Sequence, residues 1–338
     1  MHMADALLSP AVGAAMWLAS GTALAFASRR LRVGRDDVLV PLMGLLGAFV
    51  FAAQMINFVI PGTGSSGHLG GALLLAILLG PHAALVVVAS VLTVQALFFA
   101  DGGLLALGAN VFNLGVLPCY VAYPLVYRPL AGVSPTPRRL TLAALAAGIV
   151  GFQLGALGVV LQTTASGISS LPLRPFLALM LPIHLAIGVA EGLATAALVR
   201  FLWRERPALL SGRARHSGTA PALPTRRLAL AAVVTAGVLS WFASTQPDGL
   251  EWSIAHTAGD ALASPGDGVH GALAAVQERT TVLPDYALQA SKPDGGAGEA
   301  PATWPAVDAG TTLAGIVGGV LTLVTVTAIG WALRRRRR

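Results

Sequence analysis

The chain has little charge. Of its 338 residues, 11% are Asp, Glu, Lys or Arg, and 55% are hydrophobic. A soluble domain carries roughly 25% charged residues. This chain therefore cannot clothe a water-facing surface, and its mean hydropathy of +0.73 predicts an all-α polytopic membrane protein. The lone cysteine, Cys119, excludes a disulfide framework and a cysteine-rich metal site. The lone lysine, Lys292, sits in Ser-Lys-Pro-Asp-Gly-Gly. There is no Gly-Lys-Ser/Thr, so the chain has no P-loop with which to hydrolyse ATP. No nucleophile–base pair converges in any motif, so no enzyme is expected, nor is a nucleic-acid partner or a permanently bound cofactor. The first ten residues lack a basic region and include Asp5, so they do not read as a secretory signal. Met1 is expected to be kept, because His2 is too bulky for the usual removal of the initiator.

Nine hydrophobic spans are expected, at about 11–28, 38–60, 69–80, 82–100, 104–127, 140–163, 175–203, 226–244 and 311–333. Gly80-Pro81-His82 separates the third from the fourth. As one helix, 69–100 would run about 48 Å, against a hydrocarbon core of about 30 Å, and Gly-Pro is a helix stop. The split places Arg29–Arg35, Arg128–Arg139, Arg200–Arg227 and Arg334–Arg338 on one side. Only Arg174, Arg279 and Lys292 remain on the other. The positive-inside rule then predicts an amino terminus outside and a carboxyl terminus in the cytoplasm. The chain divides into a seven-span helical bundle (1–205), a basic cytoplasmic linker (206–225), a two-span unit (226–333) and a basic tail (334–338). The two-span unit carries an extracytoplasmic loop, 245–308, in which nine acids outnumber two basic residues. Its Gly, Ala, Pro and Ser content predicts partial disorder and little core of its own.

His2 is the most informative residue. A histidine at position two sets three nitrogens in a row: the Met1 amine, the His2 amide and the His2 imidazole. They can close a five- and a six-membered chelate ring on one ion. Planar nitrogen ligation of this kind favours Ni(II) or Cu(II), with Co(II) the other candidate. His68 ends the glycine-rich loop Pro61-Gly62-Thr63-Gly64-Ser65-Ser66-Gly67-His68. Two crossings separate that loop from the amino terminus, so both lie on the outer face and His68 can supply a fourth nitrogen. The competing reading is a frayed end and an interfacial loop histidine.

His184 and Glu191 share a face of the seventh span but stand about 10.5 Å apart along it, too far for one mononuclear site. An intramembrane glutamate is a functional candidate by default, and satisfaction by neighbouring helices is the alternative. Asn57, Ser66, Gln95, Asn110 and Asn113 either bond between helices or orient the imidazoles from behind. Asp5 either bonds the amino-terminal loop or faces water. His82 reads as interfacial, His216 as an inert linker residue, and His256 and His270 as residues of a solvated acidic loop.

Together these segments resemble one family. Met-His-x-x-Asp-x-x-Leu-Ser-Pro (1–10), Ile56-Asn57-Phe58 followed by Pro-Gly-Thr, Ser66-Gly67-His68-Leu69-Gly70-Gly71, Gly80-Pro81, Asp101-Gly102-Gly103, Gly108-Ala109-Asn110-Val111-Phe112-Asn113 and Ile187-Gly188-x-x-Glu191-Gly192 are similar to the CbiM/NikM substrate-binding components of energy-coupling-factor transporters. The resemblance covers about 1–205. Pro247-Asp248-Gly249-Leu250-Glu251 resembles the PDGLE (NikN-type) component, fused here to the first. The resemblance implies import of Co2+ or Ni2+ across the bacterial plasma membrane, feeding cobalamin biosynthesis or nickel enzymes. It implies a metal site of the Met1 amine, the His2 amide and imidazole, and His68. It implies two kinds of partner, a transmembrane coupling subunit and ATP-binding cassette ATPases. Ala6 stands where the family usually has glycine, which predicts strain if that position has positive φ. Val59 replaces a frequent proline and His82 a bulky residue. A proton- or ion-coupled secondary carrier using Glu191 and His184 is the alternative transport class.

Overall fold

A computed structural model describes residues 1–31, 39–205, 225–258, 268–288, 305 and 307–335. A single 3-10 turn, Asp5–Leu7, precedes the first long helix, α1 (Pro10–Arg30). The Ser9 hydroxyl accepts from Val12 N–H at 3.4 Å, and Pro10 fills the first turn, where a missing N–H costs nothing. Arg29 and Arg30 lie in the last turn, where positive charge suits the helix dipole. There follow α2 (Leu39–Gln54), the hairpin β1 (Phe58–Ile60) and β2 (Ser65–Gly67), α3 (Ala72–Leu79) and α4 (Pro81–Phe99). Next come α5 (Leu107–Ala131), α6 (Pro137–Ser166) and α7 (Leu173–Glu205). The carboxyl-terminal unit has α8 (Thr225–Gly237), α9 (Gly249–Ala258), α10 (Val269–Thr280) and α11 (Ala309–Arg335).

The protein is a helical membrane protein, but the nine expected spans are not all full helices. Among the described residues, six helices are long and apolar enough to cross a bilayer: α1, α4, α5, α6, α7 and α11. The expected span 38–60 ends as a helix at Gln54 and turns into β1. The span 226–244 is the short α8 followed by a 3-10 turn, Leu239–Phe242. The span 69–80 is α3, whose eight residues reach about 12 Å. Hydropathy counts apolar side chains. It does not separate a helix that faces lipid from a short one packed inside the bundle, and α3 is almost wholly buried. The break at Gly80 does occur: φ there is 84° and Pro81 opens α4.

One core runs through both units. It joins Met1, Met3, Leu7 and Leu8 to α2, α4 and α7, and takes in Leu250, Ile254 and Leu283. Leu250, Ile254 and Leu283 of the 245–308 segment thus belong to the core of the bundle. Where described, that segment folds into α9, α10 and a turn at Pro284–Tyr286 and packs on the bundle. Its acids hide the apolar residues spaced between them. Expectations for the linker (206–224), most of the Arg29–Arg35 loop, Lys292, His216 and Arg336–Arg338 fall outside the described residues. Ala6 is not among the residues with positive φ, so alanine brings no strain there.

Small residues set the depth of α7 against α6. A Cβ at Gly188 would stand 2.9 Å from Ile149 Cα, and one at Gly192 only 2.6 Å from Leu145 Cα. The two backbones approach as small-residue membrane interfaces do, and this presses Glu191, between those glycines, toward the centre.

Candidate metal centre at the amino terminus

The first eight residues are threaded into the end of the bundle. Asn110 pairs with the Met3 backbone as a strand would: Met3 N–H donates to Asn110 Oδ1 at 2.8 Å, and Asn110 Nδ2 donates to Met3 O at 3.2 Å. Gly103 N–H donates to the same carbonyl at 2.9 Å. Asp5 Oδ1 accepts from Ala106 N–H at 2.9 Å, at the foot of α5, where a carboxylate meets unpaired helix donors. Only glycine fits at 103, since a Cβ would overlap the Asp5 carboxylate. Side chain and backbone contacts together fix the segment in place.

That threading brings together residues far apart in the chain. The Met1 amine donates to Asp248 Oδ2 at 2.9 Å as a partly buried ion pair. The His2 and His68 rings stack, with centroids 5.1 Å apart. His2 Nδ1 faces Asp101 Oδ1 at 2.7 Å, and Tyr286 OH donates to Asp101 Oδ2 at 2.6 Å. Because the carboxylate accepts, Nδ1 of His2 carries a proton, and the other ring nitrogen is Nε2. That Nε2 is buried and has no hydrogen-bond partner among the described residues. His68 Nδ1 donates to Leu69 O at 3.1 Å, so the Nε2 of its neutral ring carries a lone pair. Met1, His68 and Asp248 line one small cavity together with Gly67, Ile187 and Gly249.

Charge is balanced closely here. Burial lowers the His68 imidazole to about 4, and the nearby amine and His2 push the same way. Burial alone would raise Asp101, but the charge and hydrogen bond of His2, with the Tyr286 hydroxyl, hold it at about 2. Burial would raise Asp248 as well, and the amine more than offsets it, keeping that carboxylate well below its ordinary range. The site therefore pairs two ionised carboxylates with an ammonium and the His2–His68 ring pair.

Asp248 reaches the amine because the carboxyl-terminal unit adds to the hairpin. Ser66 N–H donates to Pro247 O at 2.8 Å, and Ser66 Oγ to Gln246 O at 2.7 Å. Further on, His270 meets Leu8 O at 2.8 Å, and Gln277 Nε2 donates to Ala96 O and Gly102 O, each at 2.8 Å. His270 is thus not a solvated loop residue. His256 is exposed and stacks on Trp252, and His82 bonds Tyr120 OH at 2.7 Å.

The other candidates fall in different places. Asn113 pairs with Gln162 on α6 by two hydrogen bonds, of 2.8 and 3.0 Å. Gln95 donates to Gln54 at 2.9 Å, and Gln54 donates to Gly70 O at 2.8 Å. Asn57 offers its main-chain carbonyl to Ser244 N–H at 2.7 Å. Asn113 thus joins two helices while Gln95, Asn57 and Ser66 brace the loops; the contacts to the imidazoles come instead from Asp101 and the Leu69 carbonyl. Glu191 accepts from Gly70 N–H at 2.9 Å and Gly71 N–H at 3.0 Å, which ties the two residues before α3 to another helix. His184 is fully buried, with Nδ1 donating to Met180 O at 2.8 Å. Asp101, Asp248 and Tyr286 were not singled out by sequence. Asp101-Gly102-Gly103 and Pro247-Asp248-Gly249 were visible as motifs, but nothing in their spacing ties them to His2 or Met1.

Among the described residues there is no group of three or more His, Cys, Asp or Glu side chains arranged to hold a metal ion. A site built from an amine, an amide and two imidazoles contains only two such side chains and is compatible with that. One test isolates the ion pair. Asp248 Oδ1 also accepts from Leu250 and Glu251 N–H at 2.8 Å, and asparagine keeps that cap. Asp248→Asn should therefore cost only the ion pair, about 1–3 kcal/mol for a partly buried pair. It should be read as a lower melting temperature in detergent; an unchanged melt would show that the pair holds nothing.

These features define a polytopic helical membrane protein whose own amino terminus forms the polar heart of a site shared by two units. The chain belongs to the CbiM family: residues 2–209 match the cobalt uptake substrate-specific transmembrane region, and residues 226–335 match the PDGLE domain. It is 32% identical over 341 residues to a putative fused nickel transport protein NikMN of Archaeoglobus fulgidus, covering 100% of this chain and 99% of that one. It is 34% identical to the fused nickel transport protein NikMN of Rhodobacter capsulatus over 71% of each, and 34% identical to the cobalt transport protein CbiM of Geobacter sulfurreducens over 62% of each. A crystal structure of a transition metal transporter aligns with a TM-score of 0.54 at 30% identity, covering 64% of this chain and 100% of that one.

Proposed function

We propose that this chain is the substrate-recognition component of an ATP-driven energy-coupling-factor importer for Co2+ or Ni2+. The observation that supports it is the convergence of the Met1 amine, His2 and His68 at one buried place. The relatives named for cobalt or nickel transport point to the same substrates. In this reading the ion arrives from outside and exchanges water for the amine, the His2 amide, the His2 imidazole and His68 Nε2. Planar geometry selects the metal more than raw affinity does. A six-membered ring through the His2 amide closes only through Nδ1, so that nitrogen leaves Asp101 as the ion binds. Asp101 and Asp248 keep the bound charge near balance. Energy comes from separate ATPase subunits acting through a transmembrane coupling subunit in the plasma membrane. The amino terminus lies outside and the carboxyl terminus in the cytoplasm.

Competitive Co2+ and Ni2+ titration of the purified chain tests the ligand set. His2→Ala and His68→Ala should each lower affinity by about 10²-fold or more, the scale of losing one ligand from a chelate. Wild-type affinity in both variants would overturn it. Acid should weaken binding, because the amine and amide release protons to the solvent when metal binds. His68, already lowered to about 4, stays neutral from pH 8 to pH 5 and does not contribute to that loss. The expected fall is about ten- to a hundredfold per pH unit, for one or two protons released. A flat titration between pH 8 and pH 5 would contradict the nitrogen chelate.

A further inference from the structure

One face of α10 carries His270, Leu273 and Gln277, spaced i, i+3 and i+7. Residues at that spacing stand above one another on a helix, here over about 10.5 Å. His270 Nε2 donates to Leu8 O at 2.8 Å. Leu273 packs against the core of the bundle. Gln277 Nε2 donates to Ala96 O and to Gly102 O, each at 2.8 Å. The helix thus reaches from the end of the amino-terminal segment to the turn that holds its start.

What Gln277 joins decides its importance. Ala96 lies in the last turn of α4, where helix carbonyls run out of partners within the helix. Val282 and Leu283 N–H meet another of them, Phe98 O, at 3.0 and 3.2 Å. Gly102 belongs to the turn Asp101-Gly102-Gly103 that follows α4. A side-chain amide has two N–H donors, and Gln277 places one on each side of that turn. Two glycines leave the turn little conformational restriction of its own, so an outside contact is needed to keep it in one shape. The shape matters at two points. Gly103 N–H donates to Met3 O at 2.9 Å. Gly102, at φ 82°, lies against His2: a Cβ there would stand 3.4 Å from His2 Cβ and 2.9 Å from Asn110 Nδ2.

We propose that Gln277 is a positioning residue of the metal site. It clamps the turn 101–103 in the shape on which His2 and Met3 rest, and so places the chelating nitrogens from a side chain of the second unit. This rests on the chelate reading above. Donors already held in place lose less freedom when the ion binds. Removing the clamp therefore lowers affinity without removing a donor.

Two variants of the full purified chain test this. Gln277→Met keeps the length of the side chain and removes both donors. Leu273→Ala, one turn away on the same face, loosens α10 and leaves the Gln277 amide in place. Co2+ affinity should fall about tenfold in Gln277→Met, the scale of losing a contact that supports a metal ligand from behind. In Leu273→Ala it should stay within twofold of wild type, although that variant should melt at the lower temperature. Bound Ni2+ gives a reading that stability does not move, because its visible absorption follows the geometry of its ligands. The spectrum should shift in Gln277→Met and match wild type in Leu273→Ala. Wild-type affinity, or an unshifted Ni2+ spectrum, in Gln277→Met would overturn the proposal. Equal losses of affinity in the two variants would overturn it too, since Gln277 would then only fasten the second unit. The chelate reading fails by a different result, intact binding after extension of the amino terminus, and that measurement does not involve Gln277.

Discussion

Adding two residues before Met1 should abolish tight Co2+ and Ni2+ binding while leaving every native side chain in place. The extension turns the amine into an amide, whose nitrogen lone pair is delocalised into the carbonyl and is a poor donor. It also removes the cation from Asp248, 2.9 Å away, and leaves that carboxylate uncompensated. The added atoms have nowhere to go, since Met1 is only 5% exposed and sits in the core. Losing one chelate arm and crowding the site together should lower affinity by about 10³-fold or more, roughly 4 kcal/mol. Calorimetric titration of the extended chain checks this. Affinity within threefold of wild type would rule out the amine as a ligand.

Replacing Glu191 should have the largest effect on stability. Its carboxylate accepts the N–H groups of Gly70 and Gly71, the two residues before α3. A hydrogen bond to a charged group contributes about 1.5–3 kcal/mol. Glu191→Ala should therefore cost about 3–6 kcal/mol and lower the melting temperature by several degrees. Because His68 lies two residues before Gly70, metal affinity should fall with it. Glu191→Gln keeps one acceptor oxygen and should recover part of both. This also separates the proposed importer from a proton-coupled carrier. In a carrier that uses Glu191 as its proton site, Glu191→Gln would stop transport with the melt unchanged, and uptake would survive depletion of ATP.

Much of the architecture was legible from local patterns. The helical membrane class followed from the scarcity of charge, and the break at Gly80-Pro81 from a residue pair that ends helices wherever it stands. The claw of Met1 and His2 was legible because its donors are consecutive. Asp101 and Asp248 were not, because what makes them matter is contact across 99 and 247 residues. The same holds for Tyr286, which reaches Asp101 across 185 residues. Glu191 was recognised as costly in a membrane, but its partners are backbone N–H groups of glycines, which no side-chain pattern records. The acidic stretch after Asp248 has the composition of a solvated loop, and composition does not show that its Leu250, Ile254 and Leu283 enter the core of the bundle.

Composition and short motifs were enough to show that this chain lives in a bilayer as helices and sets three nitrogens in a row at its tip, because those properties depend on neighbours in the chain. Tertiary packing alone decided which crossings are complete, that the second unit grips the amino terminus, and that a carboxylate from α7 holds the two glycines before α3. These depend on groups hundreds of residues apart meeting at hydrogen-bond distance, and such meetings are selected by how the helices pack, at glycine contacts such as Gly192 against Leu145, and not by any stretch read alone.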